Sequence, residues 1–159
     1  MVKAQLISWL QDAFAMEHGL IPVLQKHAED AERELPEAAA RIRQHITETR
    51  RHAERVDECL RVLGASPAAV PSPLAPPPAS LHGRFDDVPV KNAWADASAE
   101  HFEIACYRAL ALAATELGEA GIARVCVENM RDEEQMARWL DAQLPLVVSH
   151  TLKAHALRR

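Results

Sequence analysis

The chain has 159 residues, is dominated by Ala, Leu, Glu and Arg, and holds only five glycines and 4% aromatic residues, a composition that suits one all-α domain and disfavours both sheet and two independent domains. A formal net charge of −5 offers no basic stripe, so nucleic acid is not an expected partner. No leader-like segment follows Met1 and no apolar run approaches the ~18 residues of a membrane span, so we expect a soluble, cytoplasmic protein with no membrane partner.

The first predicted helix runs from about Lys3 to Ala31, where Leu6, Leu10, Ala13, Glu17, Leu20, Leu24 and His27 recur at intervals of three and four. Gly19 and Pro22 interrupt the pattern, and Pro22 predicts a bend. Helix two should start after Leu35, with Pro36 in the first turn, and stop at Gly64. Its stripe includes Ile42, His45, Thr49, His52, Val56, Cys59 and Leu63, with Glu48 on the face of His45 and His52. The charge-rich stretch from Arg50 to Glu58 reads as a solvated face with intrahelical ion pairs. From Ala65 to about position 90 the chain turns to Pro, Ala and Ser and cannot be helix. At ~3.1 Å per residue, Pro67 to Pro78 alone would span ~37 Å, the length of a bundle, so the segment reads as a crossover connection. Helix three should cover Asn92 to Leu117, with Glu103, Tyr107, Leu110 and Ala114 on one face, Glu100 one turn earlier, and Gly118 as the stop. Helix four should begin near Gly121 and carry Ile122, Cys126, Met130, Glu133, Ala137, Leu140 and Leu144 until Pro145 bends or ends it, leaving a short apolar tail. Cys59, Cys106 and Cys126 lie inside these helical patterns without C-x-x-C spacing and are expected to be reduced.

Every helix therefore carries a carboxylate near the middle of its apolar stripe: Glu17, Glu48, Glu103 and the pair Glu133/Glu134. Residues equally far from a tight turn lie side by side in an antiparallel hairpin. A turn near Arg33 to Leu35 sets Glu17 against the level of Glu48 and His52, and one near Gly118 sets Glu103 against Glu134 or Gln135. Buried like charges repel and lose hydration, so a cluster of this kind calls for protons or a metal cation. Two short turns with one long crossover make an up-down-down-up four-helix bundle, the ferritin-like arrangement. In ferritin-like carboxylate proteins two helices each give a Glu and two each give a Glu-x-x-His unit, a donor set suited to iron or manganese. Here the carboxylates are present, but Glu48 is followed three residues on by Arg51, Glu133 by Met136 and Glu134 by Ala137, so an expected histidine is missing.

Each candidate also has a plainer reading. A Glu on a stripe can be a boundary residue reaching solvent or an Arg, and His45 or His52 can be a hydrogen-bonded core group. Tyr107, four residues after Glu103, either hydrogen-bonds that carboxylate or packs in the core. His18 and His101 fall off the stripes and are expected outside the site.

The segments Asp12 to Glu17, His45 to Thr49 with Glu54 to Glu58, Glu100-His-Phe-Glu-Ile-Ala-Cys-Tyr107 and Asp132 to Ala137 together resemble the YciE/YciF family of ferritin-like proteins, across all four helices in order. That resemblance implies a bundle that is often dimeric, is found in bacteria and is linked with stress. It also implies metal-binding carboxylates at Glu17, Glu48, Glu103 and one of Glu133/Glu134, with His45, His52 and Glu100 as further candidates. Two functions follow as expectations. One is a carboxylate-bridged dimetal protein, holding iron or manganese and acting on a small oxidant such as dioxygen or peroxide by oxidase, peroxidase or ferroxidase chemistry. The other is a metal-free helical module that dimerises or binds partners through apolar groups such as Trp9, Phe14, Phe102 and Trp139. No glycine-rich phosphate loop and no G-x-S-x-G occurs, which disfavours a nuclease, kinase or Rossmann-type enzyme.

Overall fold

The structure, a computed structural model, describes residues 2–67 and 88–157. It places four helices in the described chain: α1 Val2–Ala31, α2 Pro36–Val62, α3 Val88–Glu116 and α4 Ala120–Ala156. Among the described residues there is no strand. The body of the expected crossover, residues 68–87, lies outside the described residues.

Both proposed hairpin turns form. Pro36 occupies the first turn of α2, where a missing N–H is harmless. Gly64 and Gly118 each adopt φ of 75°, a left-handed conformation that a Cβ would strain. At the first, Ala65 N–H donates to Leu60 C=O at 2.9 Å and Gly64 N–H to Arg61 C=O at 2.9 Å. At the second, Glu119 N–H donates to Ala114 C=O at 2.8 Å and Gly118 N–H to Thr115 C=O at 3.0 Å. These paired bonds close the last turn of α2 and of α3, the Schellman arrangement.

Two boundaries differ from the sequence reading. α3 starts at Val88 rather than Asn92, because Pro89 falls within its first turn and costs no internal bond. Pro145 does not end α4, which continues to Ala156, so the expected apolar tail is helix. Pro22 likewise sits inside an unbroken α1. In both cases the carbonyl deprived of its bond belongs to an exposed residue four positions earlier, His18 or Asp141, where water can replace the missing donor.

α1 packs chiefly on α2 and α3 on α4, and the hairpins meet through α1 with α3 and α2 with α4. Cross-helix pairs set the directions. Glu17 and His27 on α1 meet Tyr107 and Asp96 on α3, while His52 and Arg55 on α2 meet Asp132 and Asn129 on α4. Both pairings are antiparallel, so α1 and α4 run one way and α2 and α3 the other. Leu6, Leu10, Val56, Leu60, Leu110 and Cys126 fill one side of the interior, and Leu20, Leu24, Ile42 and Leu140 the other. Polar side chains are buried between these apolar layers. The three cysteines are free, with Cys59 and Cys126 buried and Cys106 half-buried.

Candidate metal centre

The buried polar layer contains Glu17 from α1, His45 and His52 from α2, Glu100 and Glu103 from α3, and Glu133 from α4, each at most 1% exposed. Positions 45 and 52 share a face because seven residues are close to two helical turns, and positions 100 and 103 because three residues are nearly one. Among the described residues two groups of donor atoms converge to within 4.8 Å of one another: Glu17, His52 and Glu133, and His45, Glu100 and Glu133. Glu133 belongs to both. Its Oε1 is 2.7 Å from His52 Nδ1 and its Oε2 is 3.4 Å from His45 Nε2. Glu17 Oε1 lies 3.6 Å from His52 Nδ1 and Glu100 Oε1 lies 3.0 Å from His45 Nε2.

Among the described residues six buried atoms have no well-aligned hydrogen-bond partner: Glu17 Oε2, His52 Nδ1, Glu100 Oε2, Glu103 Oε1 and both oxygens of Glu133. Buried polar atoms are seldom left so, and all six belong to the same layer. Two of them, His52 Nδ1 and Glu133 Oε1, face each other at 2.7 Å, and so many acceptors crowded into one layer make a donor set that a bound cation would satisfy. The oxygen and imidazole donors suit iron or manganese.

The electrostatics agree. Burial raises the Glu17 carboxyl, with Glu133 adding to the rise and His52 opposing it. Burial also lifts Glu103 well above the usual range, reinforced by Glu133, Glu17 and Glu100. Burial and Glu100 push Glu133 up to about 7, against the pull of His52 and His45. Burial alone would lower both histidines. The neighbouring carboxylates overcome it, Glu100 and Glu48 raising His45 to about 10 and Glu133 and Glu17 raising His52 to about 11. Carboxylates that resist ionising beside imidazoles that hold protons describe a site short of positive charge.

Each histidine is gripped from outside. His45 Nδ1 lies 2.9 Å from Glu48 Oε2, and that carboxylate accepts bonds from Arg41 at 3.2 Å and Gln44 at 3.1 Å. Burial would raise Glu48, yet His45 and Arg41 hold it down at about 2. His52 Nε2 lies 3.0 Å from Asp132 Oδ2, with Arg55 3.6 Å from the same oxygen. Arg55 also donates to Asn129 Oδ1 at 3.0 Å. Outer carboxylates of this kind fix the tautomer and ring orientation of a ligating histidine. The Tyr107 hydroxyl donates from a fully buried position to Glu17 Oε1 on the facing helix rather than to Glu103 on its own, and its ring stands edge-on to His52 with centroids 6.2 Å apart. Burial and the Glu17 charge raise that phenol well above its usual range.

The structure thus sorts the sequence candidates. Glu17, His45, His52, Glu100, Glu103 and Glu133 share one buried layer. Glu134 does not join it: it is half-buried and lies 3.7 Å from Arg108. Glu48 stands behind His45, outside both converging groups. His18 and His101 are exposed, His101 Nδ1 lying 2.8 Å from the Ala97 carbonyl oxygen. Met136 is fully buried where a Glu-x-x-His unit on α4 would hold its imidazole. The apparent deficit is made up by α2, which supplies two histidines. Four carboxylates and two imidazoles are present, the inventory of the ferritin-like carboxylate site distributed differently among the helices. Asp132, Asn129, Arg41 and Arg55 were not singled out from sequence. Asp132 adjoins Glu133 and therefore points ~100° away around α4, and only the approach of α2 brings it to His52.

A four-helix bundle of this topology with carboxylates and imidazoles gathered at mid-height is a ferritin-like protein. Residues 2–153 match the family described as a domain of unknown function, DUF892, and the chain belongs to that family. A Xanthomonas campestris protein of known structure is 31% identical, with 98% of this chain and 99% of that one covered and a TM-score of 0.81. The Escherichia coli stress protein YciF shares the fold with a TM-score of 0.81 at 21% identity, over 94% of this chain and 98% of that one, in keeping with the YciE/YciF resemblance. The bacterioferritin of Desulfovibrio desulfuricans, which has a diiron site, shares the fold at 22% identity and a TM-score of 0.74, over 93% of this chain and 82% of that one.

Proposed function

We propose that this chain binds two metal ions, iron or manganese, inside the bundle and acts on a small oxidant. The observation carrying this reading is the pair of converging donor groups that share Glu133, with six buried atoms among the described residues lacking a well-aligned hydrogen-bond partner. His45 and Glu100 would hold one ion, His52 and Glu17 the other, with Glu133 reaching both and Glu103 completing the carboxylate shell. A bound pair of such ions supplies two electrons to dioxygen or peroxide. The protein's own part is to orient and to exclude. Glu48 and Asp132 hold the two imidazoles, Tyr107 orients Glu17 by donating a hydrogen bond to it, and the layers of Leu and Ala above and below restrict water. The bacterioferritin diiron site supports the reading by likeness of fold.

Among the described residues no helix is long and apolar enough to cross a membrane. We place the protein in the cytoplasm of a bacterial cell under stress, acting as a homodimer, with the exposed Trp9 and Trp94 as surface available to a second copy. Sedimentation across a wide concentration range tests the dimer, and a monomer throughout would remove it.

Elemental analysis after anaerobic loading with Fe(II) or Mn(II) tests the metal reading. About two ions per chain in the parent, and loss of them in Glu133→Ala with the helical signal kept, is the expected result. Metal-free parent protein would leave the helical interaction module as the reading.

A further inference from the structure

A second set of buried polar groups lies outside the donor layer, at the end of the bundle where α1 turns into α2. His27 Nδ1 is 2.6 Å from Asp96 Oδ1, and both residues are at most 3% exposed. Asn92, also buried, donates to Asp30 Oδ2 at 3.1 Å. His27, Asp30, Asn92, Asp96 and Gln143 form the polar part of the wall of a partly enclosed pocket whose remaining lining, including Ile42, Trp139 and Leu140, is apolar. The pocket offers about 40 Å³ to water-sized molecules, room for one or a few of them.

Its position ties it to the cluster. Ile42 is one turn before His45, Asp96 one turn before Glu100, and Leu140 two turns after Glu133, so the wall lies ~5 to 10 Å from the donors along the bundle axis. The occupant follows from the lining. Both acids are already matched, Asp96 by His27 and Asp30 by Lys26 and Asn92, and apart from the neutral Gln143 amide the rest of the lining is apolar. A divalent cation would find little there to replace its hydration. A neutral molecule that both donates and accepts hydrogen bonds finds apolar walls and a polar patch.

We propose that this end pocket is the route by which a small neutral oxidant of the peroxide class reaches the buried cluster, from the side of His45 and Glu100. The inference rests on the two-metal reading and adds the substrate class and its path. In the reaction so fed, one hydrogen peroxide takes two electrons from two ferrous ions and two protons, its O–O bond breaks, and two waters leave.

The test fills the pocket from its rim with Ala38→Leu and Ala93→Leu together, and in a separate variant widens it with Ile42→Ala. Iron content is measured first on each ferrous-loaded protein, then the rate of Fe(II) loading, then the bimolecular rate of oxidation by hydrogen peroxide and by dioxygen. Xenon occupancy in crystals of the metal-free parent and filled variant reports guest access without any metal. The expected result is xenon in the parent alone, unchanged iron stoichiometry and loading rate, and peroxide oxidation slowed about tenfold by filling, an increase of about 1.4 kcal/mol in the access barrier. Ile42→Ala should leave that rate unchanged or faster. Replacing the pair as His27→Leu/Asp96→Leu should lower the peroxide rate more than the dioxygen rate. Peroxide rates indifferent to filling, with two irons bound, would overturn the pocket proposal alone. Filling that slows metal loading and not oxidation would make the pocket a cation path and overturn it equally. A parent without iron would overturn the two-metal reading and the route with it.

Discussion

The substitution Glu133→Gln separates stability from metal binding, because the two respond with opposite sign. In the metal-free protein this carboxyl is raised from 4.5 to about 7 by burial and Glu100. At about 1.4 kcal/mol per tenfold change in proton affinity, holding it ionised in the fold costs roughly 3 kcal/mol. The sign follows from linkage. A carboxyl whose folded pKa is raised contributes its full stability below pH 4.5 and loses it as pH rises through about 7. Gln has nearly the shape of the protonated acid and carries no charge. In chelator at pH 8 the variant should therefore be more stable than the parent by up to roughly 3 kcal/mol, a rise in Tm of about 6 to 12 °C for a chain of this size. Near pH 4 the two should coincide. With Mn(II) at a hundredfold excess over its Kd the parent gains about 2.7 kcal/mol and the variant, lacking the shared ligand, gains little. Calorimetric scans of both proteins from pH 4 to 8, with chelator and with Mn(II), measure all of this. A variant no more stable than the parent in chelator at pH 8 would refute the picture of an uncompensated charge at Glu133.

The outer grips should tune affinity without changing capacity: Glu48→Ala and Asp132→Ala are each expected to weaken metal binding about 10- to 100-fold while about two ions still bind at saturation, as read by competition with a coloured chelator. Glu134→Ala should leave stoichiometry and affinity at parental values in the same titration, since its side chain lies by Arg108. Leu10→Ala, at a fully buried core position, should cost about 2 to 5 kcal/mol in urea unfolding, and a loss below 1 kcal/mol would mean that the apolar layer below the cluster is loosely packed. Gly118→Ala places a Cβ at φ of 75° in the tight α3 to α4 turn and should cost about 1 to 2 kcal/mol.

The all-α class, the helices and the up-down-down-up order were legible because they rest on local signals. Apolar residues at intervals of three and four define each stripe, Gly64 and Gly118 stop α2 and α3, and Pro36 opens α2. Height was legible as well: counting from the turns puts Glu17 within a turn of Glu48 and His52, and Glu103 level with Glu134 or Gln135, next to the Glu133 that the fold turns inward. The fate of the interior prolines was not, because whether Pro22 or Pro145 breaks a helix depends on whether the freed carbonyl meets water, and only packing decides that.

The sequence by itself determined which residue types reach the middle of the bundle. Direction around each helix and the identity of partners were decided by tertiary structure. Glu133 and Glu134 are ~100° apart on α4, and only the placement of α2 and α3 selects the first for the interior and leaves the second with Arg108. Glu48 shares a face with His45 and His52, yet the fold uses it to hold His45 from behind, because Arg41 and Gln44 draw its carboxylate toward the surface. The histidine absent from α4 seemed to leave the donor set one short. Two turns of α2 restore it, because a cluster at the centre of four antiparallel helices is open to donors from any of them, and the summed charge and donor count matter more than which helix supplies each.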